Sequence, residues 1–365
     1  MQKESFHPVL VTGLGLVIAP GTGGTDLAVL QRRNILEDNK TALPGEELGQ
    51  ITDFDKETLI GRRGLRYHTR GTLYLMAAAR MAMEEAGIAN PEGTEPIGIV
   101  TGTMTSNAAL VADFDKTTLS ENPTVVNASK FPETVWNSPP SRAAIRFGLS
   151  GMNIPVCCGL NSGLDAILLG HEHIRNGDEN IVLAGGFEEM TPYFSVLFDK
   201  HTVSPLSEGS AVLVLEQEAV ARARNSQPLA KIIGGNSCYF PNQGATAKEH
   251  ITLRRDLVAE TMEENGIEPA QVGIIWHLDF CEKHGQDQGL LAIGALKWDG
   301  PLPQIIELTP HVGISGGLAG ALAAAIACSP DSKPLAQPND SPQREIIISE
   351  DGQGSLAILV VERLQ

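Results

Sequence analysis

The chain has 365 residues, a formal net charge of −17 from 44 acidic and 27 basic side chains, 42% hydrophobic residues and 38 glycines. At about 150 residues per domain this is one large domain or two, long enough to bury a core without metal or disulfide. The acidity excludes the basic stripe that nucleic acid or an anionic membrane requires. No stretch reaches about 18 consecutive apolar residues, and the first eight residues lack a signal-peptide layout, so a cytoplasmic α/β protein is expected.

Strand-like and helix-like segments alternate along the chain. Val9–Gly13 reads as a strand entering a glycine turn at Gly13 and Gly15, and Leu73–Ala86 as a helix closed by Gly87. Ile97–Thr101 and Asn153–Val156 read as strands, Gly163–Arg175 as a helix, and Ile181–Ala184 and Ala211–Leu215 as strands. The second half echoes the first: Met83–Ile88 in Met262–Ile267, Ile97–Val100 in Val272–Ile275, and Ala211–Glu216 in Ala357–Glu362. The small-residue helix near Ser162 is echoed by one near Gly316. A duplicated unit too small to cover both faces of its own sheet implies two sheets with helices between and around them. The halves would be 1–216 and 217–365, with a polar seam at Glu216–Pro228.

Five cysteines, Cys157, Cys158, Cys238, Cys281 and Cys328, show no CxxC spacing, so neither a zinc site nor a disulfide framework is expected. Gly13-Leu14-Gly15 lacks the third glycine of a dinucleotide fingerprint, since Ile18 stands in its place. His171 and His173, two apart on one helix, do not face one metal. Arg62, Arg63, Arg66 and Arg70 form a local basic cluster, either a solvated helix entry or a surface for an acidic partner.

Gly151–Ala166 reads as a strand, a tight turn of small residues and a helix, the place where a helix N-terminus stabilises a thiolate or oxyanion. Here the sequence resembles the β-ketoacyl synthases of the thiolase superfamily. The matching segments are Val11–Gly15, Phe54-Asp55, Gly61–Arg66, Phe131-Pro132, Asn137, Gly159–Ala166, Gly177-Asp178, Ala184–Glu188, Glu208–Glu216 and Gly352–Gly354. The resemblance implies a thiolase-like duplicated αβαβα layered α/β fold, with no cofactor and no metal.

Family ketosynthases carry a nucleophilic cysteine and two histidines, the second supported by a lysine. The resemblance puts Leu160 at the cysteine, Ile314 at the second histidine and Thr309 at the lysine. His277 is a possible remnant of the first histidine, and Gln353 replaces an aromatic residue between two glycines. Cys157 or Cys158 could supply a displaced nucleophile, although both read as strand residues before the turn. A ketosynthase relative without its catalytic set resembles the chain-length factor, or KSβ subunit, of type II polyketide synthases. Such a subunit pairs with an active ketosynthase (KSα) and receives chains from an acyl carrier protein. By that resemblance Asn107, Leu110, Phe114, Trp136 and Gln353 line the acyl tunnel, and Asn153, Ile154, Val156 and Cys158 lie at the dimer interface. The family's chains run longer, and the shortfall falls near 199–208 and 329–344.

Overall fold

In strand Gly209–Gln217, Ala211, Leu213 and Leu215 join one apolar cluster while Val212 and Val214 join another. Successive side chains on a strand point to opposite faces, so this strand is covered by helices on both sides. The computed structural model describes residues 6–18, 21–22, 50–88, 95–120, 123–198, 206–241, 246–280, 293, 294, 296, 298, 302–330 and 344–364. The expected shortfalls at 199–208 and 329–344 lie largely outside these residues, as does Cys281.

The strands are β1 (Val9–Ile18), β2 (Gly21–Thr22), β3 (Ile97–Gly102), β4 (Asn153–Val156), β5 (Ile181–Glu188) and β6 (Gly209–Gln217). After them come β7 (Ala230–Tyr239), β8 (Val272–Asp279), β9 (Gln304–Glu307), β10 (Arg344–Glu350) and β11 (Ser355–Arg363). Their spatial order is β4-β3-β5-β6-β1-β7-β11-β10-β8-β9, with β2 on the end of β1. Read outward from the β1–β7 junction, each set runs first, fifth, fourth, second, third in chain order. The two sets join where Val9–Val11 pair antiparallel with Ala230–Ile232. Hydrogen bonding therefore follows one continuous path, where the sequence suggested two separate sheets.

The layers follow from six helices: α1 (Arg70–Glu85), α2 (Ala108–Ser120), α3 (Ser138–Phe147), α4 (Ser162–Asn176), α5 (Ala247–Glu264) and α6 (Leu318–Cys328). α1 and α3 cover the outer face of the first strand set, and α5 covers that of the second. Between them α4 and α6 pack together in the largest cluster, which draws apolar residues from both sets. Every residue of α6 is buried, in keeping with its run of alanine, leucine and isoleucine. Local signals set the ends: Thr69 accepts a hydrogen bond from the Thr72 amide at the start of α1, and left-handed Gly177 (φ 82°) closes α4.

Gly13 and Gly15 correct the sequence reading. They lie within β1, and α1 crosses them so closely that a Cβ would stand 2.2 Å from the Ala82 oxygen and 1.8 Å from that of Ala78. The glycines admit a helix to the strand; they do not make a turn.

Candidate functional site

The turn after β4 is held from both strand sets. Left-handed Gly159 (φ 84°) opens a short 3-10 turn, Gly159–Asn161, that runs into α4. The Ser162 hydroxyl accepts from the Cys158 amide (2.8 Å) and donates to the Gly159 oxygen (2.7 Å). From the second set, Ser349 Oγ donates to Asn161 Oδ1 (2.7 Å), and Asn161 Nδ2 donates to Ser355 Oγ (3.1 Å). The N-termini of α4 and α6 meet here, with no room for a side chain between them. A Cβ on Gly163 would lie 2.0 Å from the Gly317 oxygen, and one on Gly317 would lie 2.5 Å from Thr103 Cα.

Glu188, at the end of β5, ties these parts together, a role the sequence did not signal. It is fully buried and accepts from the amides of Met104 (2.7 Å), Thr105 (3.1 Å) and Gly317 (3.0 Å) and from the hydroxyls of Thr103 and Thr105. Burial raises its pKa, and the Thr105 hydroxyl with the Gly317, Met104 and Thr105 amides opposes the rise. With both oxygens committed, it anchors the loop before α2 to the start of α6.

Two converging helix N-termini form an electropositive locus suited to a thiolate or oxyanion. The groups placed there are aliphatic. Leu160 and Ile314 are buried in one apolar cluster with Leu278, Phe280, Leu308 and Val312. Thr309 is buried, and its hydroxyl accepts from the Asp279 amide (2.9 Å), so it braces the end of β8. Neither the Leu160 nor the Ile314 side chain can transfer a proton or accept an acyl group.

His277 lies on the other face of β8. Ile274, Trp276 and Leu278 join the central cluster, whereas Ile275 joins the outer one and His277 shares its phase. Its Nδ1 is 2.8 Å from Glu307 Oε1 and its Nε2 3.4 Å from Glu350 Oε1, while Arg254 of α5 donates to Glu350 (2.5 Å). Burial alone would lower its pKa, but the two carboxylates win and raise it to about 10. It is therefore an imidazolium in a structural ion network and faces away from Leu160.

Cys157 and Cys158 also depart from the expectation, since β4 ends at Val156 and both lie in the exposed link beyond it. Burial of the thiol pushes Cys157 up to about 11, with Cys158 and Glu188 adding to the rise, and Cys158 is raised as well. A nucleophilic cysteine needs the opposite shift.

The expected tunnel residues divide. Asn107 and Trp136 line a cavity of about 250 Å³ together with Ala108, Val111, Ala112 and Asp115, one face of α2 at helical spacing. Leu110 and Phe114 fall outside that face, and Phe114 packs on Phe131 with ring centroids 6.0 Å apart. Gln353 is exposed in the β10–β11 turn and is not part of this cavity's wall. Asn107 is also held in place, donating to the Glu133 oxygen (2.6 Å) and accepting from the Thr69 hydroxyl (2.9 Å).

Of the proposed interface residues, Asn153, Ile154 and Val156 form the half-buried edge strand β4, which pairs with β3 and has no second strand among the described residues. Cys158 lies just past it. In the basic cluster, Arg70 is committed to Glu208 (2.7 Å) and the Tyr74 hydroxyl (2.9 Å), while Arg62, Arg63 and Arg66 are exposed. No group of three or more His, Cys, Asp or Glu among the described residues could hold a metal ion. Among the same residues no helix is long and apolar enough to cross a membrane.

The five-layer arrangement, with two central helices starting beside this turn, is that of thiolase-like ketosynthase structures. The family model for the beta-ketoacyl synthase N-terminal domain matches residues 8–205, and the chain belongs to that family. It is 23% identical over 310 residues to 3-oxoacyl-[acyl-carrier-protein] synthase 2 of Coxiella burnetii, covering 76% of this chain and 72% of that one. It is 29% identical to the ketoacyl synthase alpha subunit of the tetracenomycin polyketide synthase of Streptomyces glaucescens, over 64% of this chain and 63% of the relative. To the beta subunit of that synthase it is 26% identical, over 74% and 72%. The ishigamide ketosynthase/chain length factor superposes with a TM-score of 0.77 at 20% identity, covering 99% of this chain and 100% of that one.

Proposed function

We propose that the chain is the non-catalytic chain-length-factor (KSβ) subunit of a type II polyketide synthase, composed of halves 1–216 and 217–365. It would pair with an active ketosynthase, receive chains from an acyl carrier protein through that heterodimer, and work in the cytoplasm. The observation that carries this reading is the placing of Leu160 and Ile314, buried and aliphatic, where two helix N-termini converge. Losing a nucleophile and its partner together leaves no route to the acyl-enzyme. In this reading the active subunit performs decarboxylative Claisen condensation, and the cavity at Asn107 and Trp136 shapes the space for the growing chain. The open edge of β4 would receive the partner's strand, which also removes an aggregation hazard.

A divergent active enzyme using Cys157 or Cys158 is disfavoured by the raised pKa of both thiols. A homodimeric acyl-binding pseudoenzyme is separated by partnership. Two measurements test the proposal: labelling of the purified chain with a cysteine-directed ketosynthase inhibitor, and co-expression with a ketosynthase that retains its cysteine and both histidines. The proposal expects no acylation of the isolated chain and a one-to-one complex. Labelling at Cys157 or Cys158 that substitution abolishes, or exclusive homodimers, would overturn it.

A further inference from the structure

The wall of the cavity at the start of α2 discriminates between kinds of chain. Ala108, Val111 and Ala112 give it an aliphatic face, and Trp136 adds an aromatic one. Its volume of about 250 Å³ exceeds the ~150 Å³ of an apolar protein cavity that holds one benzene ring, so a segment of several carbons fits.

The polar side chains of the same wall are spent within the protein. Thr105 Oγ1 donates to the fully buried Glu188 (2.5 Å), and Thr134 Oγ1 donates to the Phe131 oxygen (2.8 Å). Asn107 Nδ2 donates to the Glu133 oxygen (2.6 Å), while its Oδ1 accepts from the Thr69 hydroxyl (2.9 Å). Turning Thr105 towards a ligand would take a donor from a buried carboxylate, so the wall is set against rearrangement. Asp115 is exposed, and a carboxylate has no proton to offer a carbonyl. Beyond the half-exposed Trp136 indole, one side-chain donor of the wall is uncommitted among the described residues. It is Ser106, buried at a positive φ of 46°, whose Oγ has no partner.

A poly-β-keto chain carries a carbonyl on every second carbon. Each one drawn into this cavity leaves water, and each left unpaired lowers affinity about tenfold or more. One free hydroxyl can serve one carbonyl and not a series. A hydrocarbon segment has no such penalty and gains from the aliphatic wall. We propose that the cavity takes the hydrocarbon segment of an acyl chain whose β-carbonyls are removed before the next condensation. The reactions that supply such a chain are reduction and dehydration. Hydride from a reduced cofactor and a proton convert the β-ketone to a hydroxyl, which leaves with a neighbouring proton as water and gives a carbon–carbon double bond. The proposal rests on the chain-length-factor reading above and adds the class of chain.

The test uses the chain co-expressed with an active ketosynthase and supplies two substrates on carrier protein. One is octanoyl; the other is the octanoyl chain bearing ketones on its fifth and seventh carbons, so the two are identical near the thioester. The wild-type complex should extend octanoyl with a kcat/KM about tenfold or more higher. Ala112→Phe, which fills the cavity, should reduce extension of octanoyl more than that of acetyl and shrink the preference between the two octanoyl chains. Extension of the diketone within about twofold of octanoyl, or a preference that Ala112→Phe leaves unchanged, overturns the hydrocarbon proposal and leaves the chain-length-factor reading standing. Failure to form the complex overturns both.

Discussion

His277 offers a direct test of how the second half is held together. Its imidazole is fully buried between Glu307 and Glu350, and Glu350 also holds Arg254. The substitution His277→Gln keeps a polar side chain of similar reach and removes the positive charge. Truncating one partner of a buried ion network costs about 3–5 kcal/mol. The lower end applies here, because Glu350 retains Arg254 and the Glu307 side chain is 35% exposed. At about pH 6 the variant should therefore lose roughly 3 kcal/mol of unfolding free energy.

The pH dependence carries the sharper signature. The His277 pKa is raised from 6.5 in the unfolded chain to about 10 in the fold, so the folded state binds the extra proton across that window. Stability from this group is fully present below pH 6.5 and is lost as pH rises through 10. At about 1.4 kcal/mol per pH unit the ceiling is on the order of 5 kcal/mol, which solvent around Glu307 reduces to about 3. Urea denaturation at about pH 6, 8 and 10 should show wild type and variant converging as pH rises. A variant whose deficit is the same at pH 6 and pH 10 would refute the ion-network account.

Other outcomes follow from the same structure. Gly163→Ala should cost about 3 kcal/mol or more by driving a methyl into the Gly317 oxygen, read as a lower urea midpoint. Trp276 Nε1 donates to Glu345 (2.6 Å), whose pKa burial raises to about 7 despite Arg363, so Trp276 emission should titrate near pH 7 and Glu345→Gln should abolish the step. The contribution of that raised carboxyl to stability is fully present below pH 4.5 and declines as pH rises towards 7. Leu160→Cys should yield no condensation with malonyl carrier protein, because Ile314 and Thr309 remain and neither can serve as the second histidine.

Much of the architecture is legible in the sequence because its signals are local. β4 has the bounds its short apolar run predicts, and α4 ends at the Asn-Gly stop after its periodic face. What escaped was set by distant contacts. Gly13 and Gly15 resemble a turn until α1, more than sixty residues later, is seen lying across them. His277 stands where a catalytic histidine could be imagined, yet its face of β8 is fixed by the strand's phase against two layers, and its partners come from β9, β10 and α5. The resemblance groups Leu110 and Phe114 with Asn107, and the phase of α2 puts only Asn107 of the three on the wall of the 250 Å³ cavity. At the candidate site, the assignment of Leu160, Ile314 and Thr309 comes from the family resemblance, since no periodicity marks them.

In the non-catalytic reading proposed above, aliphatic residues at the turn let such a fold persist without a catalytic set. A buried catalytic set carries desolvation penalties that its own hydrogen bonds must offset. Here Leu160 and Ile314 convert that locus into part of the central apolar cluster, and Thr309 spends its hydroxyl on the β8 backbone. The scaffolding around the turn remains fully engaged: Asn161 still links Ser349 and Ser355, and Glu188 still joins the loop before α2 to α6. That scaffolding also positions the β4 edge, which has no second strand among the described residues, and the cavity at Asn107 and Trp136. In the proposed reading the frame serves association, so the identity of the partner decides between the readings more directly than any assay of turnover.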